Sequence, residues 1–302
     1  MGTGVNTDYY FHSLKGVFDK FGEVCTWFEE LGFSYARTRY GLYEKTFLAF
    51  EDSARGDSKK TVTLDQKRKF DNAYLEANEI IRVQADLSTI NSDQFIEQLK
   101  FVLSGQEFRN QTSNDAARDF LFEISIASRF IRAGYSVSLN GICDVVVTMG
   151  DGYVLFIECK RIKSEKRIRD NVKKANKQIV SRIQNYALPK AKGLVAINIT
   201  DLIPETNNLL PDSPVAGTII HKLLMNKFLD AHTSSIFDGK SKHCVGVLCE
   251  SSRVHYFSKN SPQQGLQYSR HTSFAPYDAP GSLSYNMIES IAPKICNQNI
   301  NR

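Results

Sequence analysis

Apolar residues in the first third of the chain recur at threes and fours between charged stretches, as in FDNAYLEANEIIRVQADL (70–87) and SDQFIEQLKFVL (92–103). That spacing gathers the apolar side chains on one side of a helix, so residues 1–110 are expected to form a helical N-terminal domain. The stretch EDSARGDSKKT (51–61) is polar and carries Gly56, and reads as a surface loop that breaks these helices. A further helix is expected over SNDAARDFLFEISIASRFIRAG (113–134), with Ser113 or Asn114 as N-cap and Gly134 as its C-terminal stop.

Beyond Gly134 the period falls from about 3.6 to 2. YSVSL, ICDVVVTM and YVLFIECKRI read as three consecutive strands, the last two joined by Gly150-Asp151-Gly152. A helix from Ser164 to Tyr186 follows, with an apolar stripe at Ile168, Val172, Ala175, Ile179, Ile183 and Tyr186, ended by Pro189. GLVAINIT is then a strand, and strand–helix–strand order implies a crossover onto a partly parallel sheet. VAGTIIHKLLMNKFLDAH reads as an amphipathic helix, and CVGVLCE with VHYFSK as a pair of closing strands. The expected class is α/β: a mixed sheet flanked by helices, preceded by the α-helical domain. Residues 261–302 hold four of the eight prolines with runs of Ser, Asn and Gln, and are expected to be an irregular tail.

Composition narrows the class without naming a chemistry. A chain of 302 residues, 42% hydrophobic and 24% charged, can bury a sizeable core and is neither fibrous nor globally disordered. It holds no apolar run of the length that spans a bilayer, and MGTGVNTDYYFH lacks the basic and apolar regions of a secretory leader, so no membrane partner is expected. Six scattered cysteines without a C-x-x-C pair suit a reducing cytoplasm, and Cys143 and Cys159 fall in apolar runs that read as core. Neither they nor the six dispersed histidines have zinc-site spacing.

Charge is more informative than its total. Of a net +5, residues 161–192 carry a local +9, which leaves −4 for everything else. A concentrated basic segment suits a polyanion such as nucleic acid, the simpler reading being a solvated lysine-rich face. Lys166, Arg167, Lys173, Lys174 and Lys177 are the candidates for phosphate contact.

The chemistry sits just before that segment. Strand alternation places Val154, Phe156, Glu158 and Lys160 on one face, with Leu155, Ile157, Cys159 and Arg161 on the other. Glu158 and Lys160 therefore share a face at the end of an apolar run, where unpaired charge is costly. Asp144 lies among β-branched residues of the preceding strand, and a hairpin brings it towards Glu158. Two converging carboxylates repel and are pushed towards protonation unless a hard cation joins them, and Mg²⁺ takes one or two carboxylates plus waters.

This ordered set resembles the PD-(D/E)xK nuclease superfamily and its restriction-endonuclease-like fold. Asp144 matches the first acid, and Glu158 and Lys160 match E-x-K, although Cys143 stands where the family often has proline. The resemblance spans about residues 113–200 of a nuclease domain set at 111–260. It also implies a helix glutamate, matched by Glu123, and a Gln or Lys on the following helix, matched by Gln178. By the same resemblance, Mg²⁺, with Mn²⁺ as substitute, is held by Asp144, Glu158 and the backbone carbonyl of Cys159, and Glu123 serves a second metal or its waters. The implied activity is metal-dependent phosphodiester hydrolysis, of DNA in the first instance, in restriction or anti-phage defence. An RNA-directed nuclease and a non-cutting nucleic-acid-binding protein remain the alternatives. The N-terminal helices are left to recognition, dimerisation or contact with a defence partner.

Overall fold

A computed structural model describes residues 13–55, 63–90, 92–109, 115–186, 188, 190–203, 210–258, 266–296 and 298. Four helices come first: α1 (Leu14–Glu30), α2 (Arg39–Arg55), α3 (Leu64–Leu87) and α4 (Asp93–Leu103). Local chemistry fixes their starts. Ser13 and Ser92 accept from backbone N–H groups one turn on, and Thr63 forms a reciprocal capping box with Gln66. The expected loop at 51–61 is corrected in its first half, because α2 runs through residues 51–55; the rest lies outside the described residues.

Helix α5 (Ala116–Arg132) is capped by Asp115, whose side chain accepts from the N–H of Arg118, while Ser113 and Asn114 lie outside the described residues. Gly134 adopts φ +86°, the left-handed stop that glycine takes without strain. After it run β1 (Ser136–Ser138), β2 (Val145–Thr148) and β3 (Val154–Arg161), with a 3-10 turn at Gly150–Gly152 joining the last two. Helix α6 (Ile168–Tyr186) leads to β4 (Ala191–Asn198), and α7 (Pro214–Phe237) leads to β5 (Cys244–Tyr256), β6 (Leu266–Pro276) and α8 (Leu283–Cys296).

The six strands form one mixed sheet in chain order. Neighbours pair antiparallel from β1 to β3, parallel from β3 to β5, and antiparallel again at β5–β6. The two parallel steps are the crossovers that α6 and α7 supply. Both pack on one face, in a core with Phe156, Val195, Ile197 and Val247, while α5 and α8 cover the other with Leu155, Ile157, Leu194 and Leu248. At Gly193 a Cβ would collide with Ile179 Cγ2 and lie 2.8 Å from Cys244 Sγ, so glycine is what lets α6 approach β4 this closely.

Two expectations are overturned at the C-terminal end. CVGVLCE and VHYFSK are not a strand pair, because residues 244–256 form one strand whose partner is 266–276. Residues 261–302 are not an irregular tail, because they contain β6 and α8, and α8 buries Met287, Ile288, Ile291 and Ile295. The basic helix also begins later than expected, with Glu165–Arg167 forming a 3-10 turn before α6; Pro189 lies outside the described residues. The aromatic-rich core of α1–α4 continues into Leu121 and Ile124 of α5 and Leu266 and Tyr268 of β6.

Ile291 is fully buried between α8 and the sheet, so Ile291→Ala is expected to cost about 2–5 kcal/mol. Urea unfolding measures this, and a cost below about 0.5 kcal/mol would contradict the packing of α8.

Candidate active site

The site is built at the end of the β2–β3 hairpin. The ladder pairs Val145 with Ile157, so the next step sets Asp144, one residue outside β2, against Glu158. There Asp144 leaves the regular strand expected for it, and its Oδ2 accepts the Cys159 N–H at 2.7 Å. The strand alternation is as expected: Val154 and Phe156 pack under α6, and Leu155, Ile157 and Cys159 under α5 and α8. Lys160 Nζ stands 3.3 Å from Glu158 Oε2 and 3.9 Å from Asp144 Oδ2.

Glu158 has no exposed surface, so its charge needs partners inside the protein. Oε1 accepts from Arg182 Nε at 2.6 Å and from Cys143 Sγ at 3.3 Å, while Oε2 faces Lys160. Arg182 Nη1 also donates to the Ile142 carbonyl at 2.5 Å, which ties α6 to the segment before Asp144. Sequence reasoning missed Arg182, counting it only as charge. Its signal was its place four residues after Gln178, one turn along the same side of the basic helix.

Glu123 faces the cluster from α5. Burial, then the nearby Asp144 carboxylate, pushes its carboxyl up to about 8. Asp144 is raised by burial and then by Glu158, against the pull of Lys160 and the Cys159 N–H. Burial alone would lower Lys160, but Asp144 and Glu158 outweigh it and keep the ammonium charged. The Cys159 thiol is held well above its usual range by burial, which removes it as a nucleophile.

The other named residues stand apart from this group. Gln178 is half-buried with Oε1 lacking a hydrogen-bond partner, and no described hydrogen bond joins it to Asp144 or Glu158. Lys166 and Arg167 are exposed on the 3-10 turn, and Lys174 and Lys177 are exposed on α6. Lys173 instead lies 2.9 Å from Asp238 at the end of α7, and Arg169 bonds the same carboxylate.

Among the described residues, no three His, Cys, Asp or Glu side chains form a ready metal cage. The donors nonetheless fit Mg²⁺, a hard ion that needs few protein oxygens. Asp144 and Glu123 are partly exposed carboxyls driven towards protonation by burial and mutual repulsion, which a divalent cation would relieve. They are the residues that would hold it. Glu158 would join only by sharing oxygens now engaged by Arg182 and Lys160.

The raised Glu123 carboxyl predicts a stability slope. The folded state keeps this proton up to about pH 8 while the unfolded chain releases it near 4.5, so its contribution is full below 4.5 and is lost as pH rises through 8. In buffer with EDTA, wild type should therefore lose stability relative to Glu123→Gln between about pH 5 and 8, read from urea midpoints. Parallel curves for the two proteins would remove Glu123 from the cluster.

Family models, curated proteins and solved structures yield no significant match to this chain.

Proposed function

We propose that this chain is a Mg²⁺-dependent nuclease of the PD-(D/E)xK type, with a restriction-endonuclease-like core and DNA as its substrate. The observation that carries the reading is the Lys160 ammonium, 3.3 Å from Glu158 and 3.9 Å from Asp144 at the mouth of the hairpin. The element order supports it: helix α5, three antiparallel strands, crossover helix α6, then parallel β4. So does the basic turn and helix beyond β3, whose Lys166, Arg167, Lys174 and Lys177 are exposed for phosphate contact.

In this reading Lys160 orients the attacking water and offsets the negative charge that builds on the phosphate during in-line attack. A bound Mg²⁺ would supply Lewis acidity towards the phosphate oxygens and the water. Asp144 keeps its position through the Cys159 N–H, and Glu123, protonated to about pH 8 without metal, can hold or pass a proton at its carboxyl oxygen. Arg182 holds Glu158 in place from α6. The saturation of Glu158 by Arg182, Cys143 and Lys160 favours a second reading, a nuclease fold that binds nucleic acid without cutting it.

Incubation of the protein with supercoiled, linear and single-stranded DNA and with RNA, each with Mg²⁺ or EDTA, separates these readings. Cleavage that requires Mg²⁺ is expected, and Lys160→Ala should lower it by about 10²–10³-fold or more with the fold intact by circular dichroism. Asp144→Ala should abolish it. Undiminished cutting by Asp144→Ala would sink the site, and binding without cutting of any substrate would leave the second reading.

Positioning is tested separately by salt. Neutralising Lys166, Arg167, Lys174 and Lys177 together should flatten the dependence of log Kd on log salt by about 0.9 per lost duplex contact, weakening all sequences alike. An unchanged slope in fluorescence anisotropy would make this segment a solvated surface.

A further inference from the structure

Helix α7 departs from the pattern of a helix that merely covers a sheet. Its inner side is occupied: Gly217, His221, Met225 and Phe228 are buried, and Met225 and Phe228 belong to the core beneath α6 and α7. The first half of its outer side is apolar as well. Val215, Ile219 and Leu223 are 41%, 48% and 61% exposed, and Leu210, just ahead of the helix, is 53% exposed. Among the described residues no other element exposes three large hydrophobics. The neighbouring α6 has an ordinary outer side, with Lys174 and Lys177 exposed, and the second half of α7 matches it with Asn226, Lys227, Asp230 and Thr233.

A helix stretch that is apolar all round belongs inside a protein, and an exposed apolar stripe marks a contact surface. What fits this stripe is set by its symmetry. Counted from Ile219, Val215 and Leu223 stand four residues to either side, and Asp212 and Asn226 seven. Steps of three and four keep Val215, Ile219, Leu223 and Asn226 on one side of the helix, with Asp212 just before the Ser213 cap at its head. Run backwards, the stripe therefore sets apolar residues on apolar residues and the acid on the amide. Charge follows the same order, because Asp212 is exposed at one end and Lys227, beside Asn226, is exposed at the other.

From this we infer that the outer face of α7 joins two copies of this chain, as antiparallel helices about a two-fold axis at Ile219. In such an isologous contact every pairing occurs twice. Ile219 meets its own copy, Val215 meets Leu223 of the second copy, and Asp212 reaches the amide of Asn226 and the ammonium of Lys227 on the second copy. Lys222, exposed at the edge of the stripe, falls opposite Ala216, whose small side chain leaves room for the lysine stem. Self-association requires this symmetry, whereas an unrelated partner does not. Three turns of helix make a small interface, so a Kd on the order of 10 µM is expected. Pairing through α7 does not depend on the nuclease reading and lies outside the N-terminal helices.

The test is sedimentation velocity of the full chain, without metal or nucleic acid, across about 1–200 µM. A concentration-dependent dimer is expected, and Ile219→Asp, which sets two carboxylates together at the axis, should weaken it at least about tenfold with the circular dichroism unchanged. Lys227→Glu should weaken it by about two- to tenfold, and adding Asp212→Lys should restore it, because the swap re-forms both ion pairs. Oxidative cross-linking reads the register. Ile219→Cys lies on the axis and should yield a disulfide-linked dimer, whereas Val215→Cys, about 12 Å from its own copy at about 1.5 Å per residue, should not. Should Ile219→Asp fail to fold, the charge swap and the cross-links decide the matter. A dimer that survives Ile219→Asp, a swap that restores nothing, or equal cross-linking at positions 215 and 219 would overturn this pairing. A monomer at every concentration would overturn it too and leave the stripe to a different protein.

Discussion

A carboxylate cut off from water must find its countercharge within the protein, and among the described residues Glu76, Glu158 and Glu250 are in that position, with no exposed surface. Each is met by arginine from another element. Glu76 of α3 gathers Arg39 from α2, Arg109, and Arg118 from α5. Glu158 of β3 takes Arg182 from α6, and Glu250 of β5 takes Arg129 from α5 at 2.9 Å. Apolar packing alone would let these helices slide, whereas a buried ion pair fixes one placement because every other leaves a charge stranded. Burial would push Glu76 up, but Arg118, Arg39 and Arg109 hold it far below the usual carboxylate range, so the pairing survives over ordinary pH.

The candidate active site uses this constraint in its least relaxed form. Glu158 is fully paired, while Asp144 and Glu123 are carboxyls whose environment favours the proton. Ion pairing and frustration thus lie side by side within one cluster, a pattern of functional sites more than of structural ones. The next residue, Arg161, turns to the other face and pairs with Asp201 at 3.0 Å, the acid that also pairs with Arg109. Adjacent residues of one strand therefore serve the site and the Glu76 network.

The hairpin chemistry was legible because it breaks a simple rule. Alternation through YVLFIECKRI puts two charges on a face that should be apolar, and the structure keeps that face assignment. What escaped reading escaped for related reasons. Strand β5 is continuous through Glu250, Ser251 and Ser252, a polar triplet that reads as a break but is buried against Arg129, His221 and Glu79. In β6, Gln267 and Ser269 are as buried as Leu266 and Tyr268, so the alternation that signals a strand is hidden. Helix α8 has a clear stripe at Met287, Ile291 and Ile295, yet Pro293 argued against a helix. Arg182 went unread because its one signal, a place one turn beyond Gln178 on the basic helix, does not by itself tell a partner of a buried acid from a solvated cation.

The sharing of one core by α1–α4 and β6 has a consequence for how the chain acquires its structure. Tyr268 donates to Glu79 at 2.7 Å across 189 residues of sequence, and Ser252 reaches the same carboxylate across 173. Until residue 268 has been synthesised, the N-terminal bundle lacks two of its core side chains and Glu79 lacks its phenol partner. The bundle emerges first but cannot close first. Contacts of such separation slow folding through the entropy of closing large loops, so the early helices wait with part of their apolar surface uncovered.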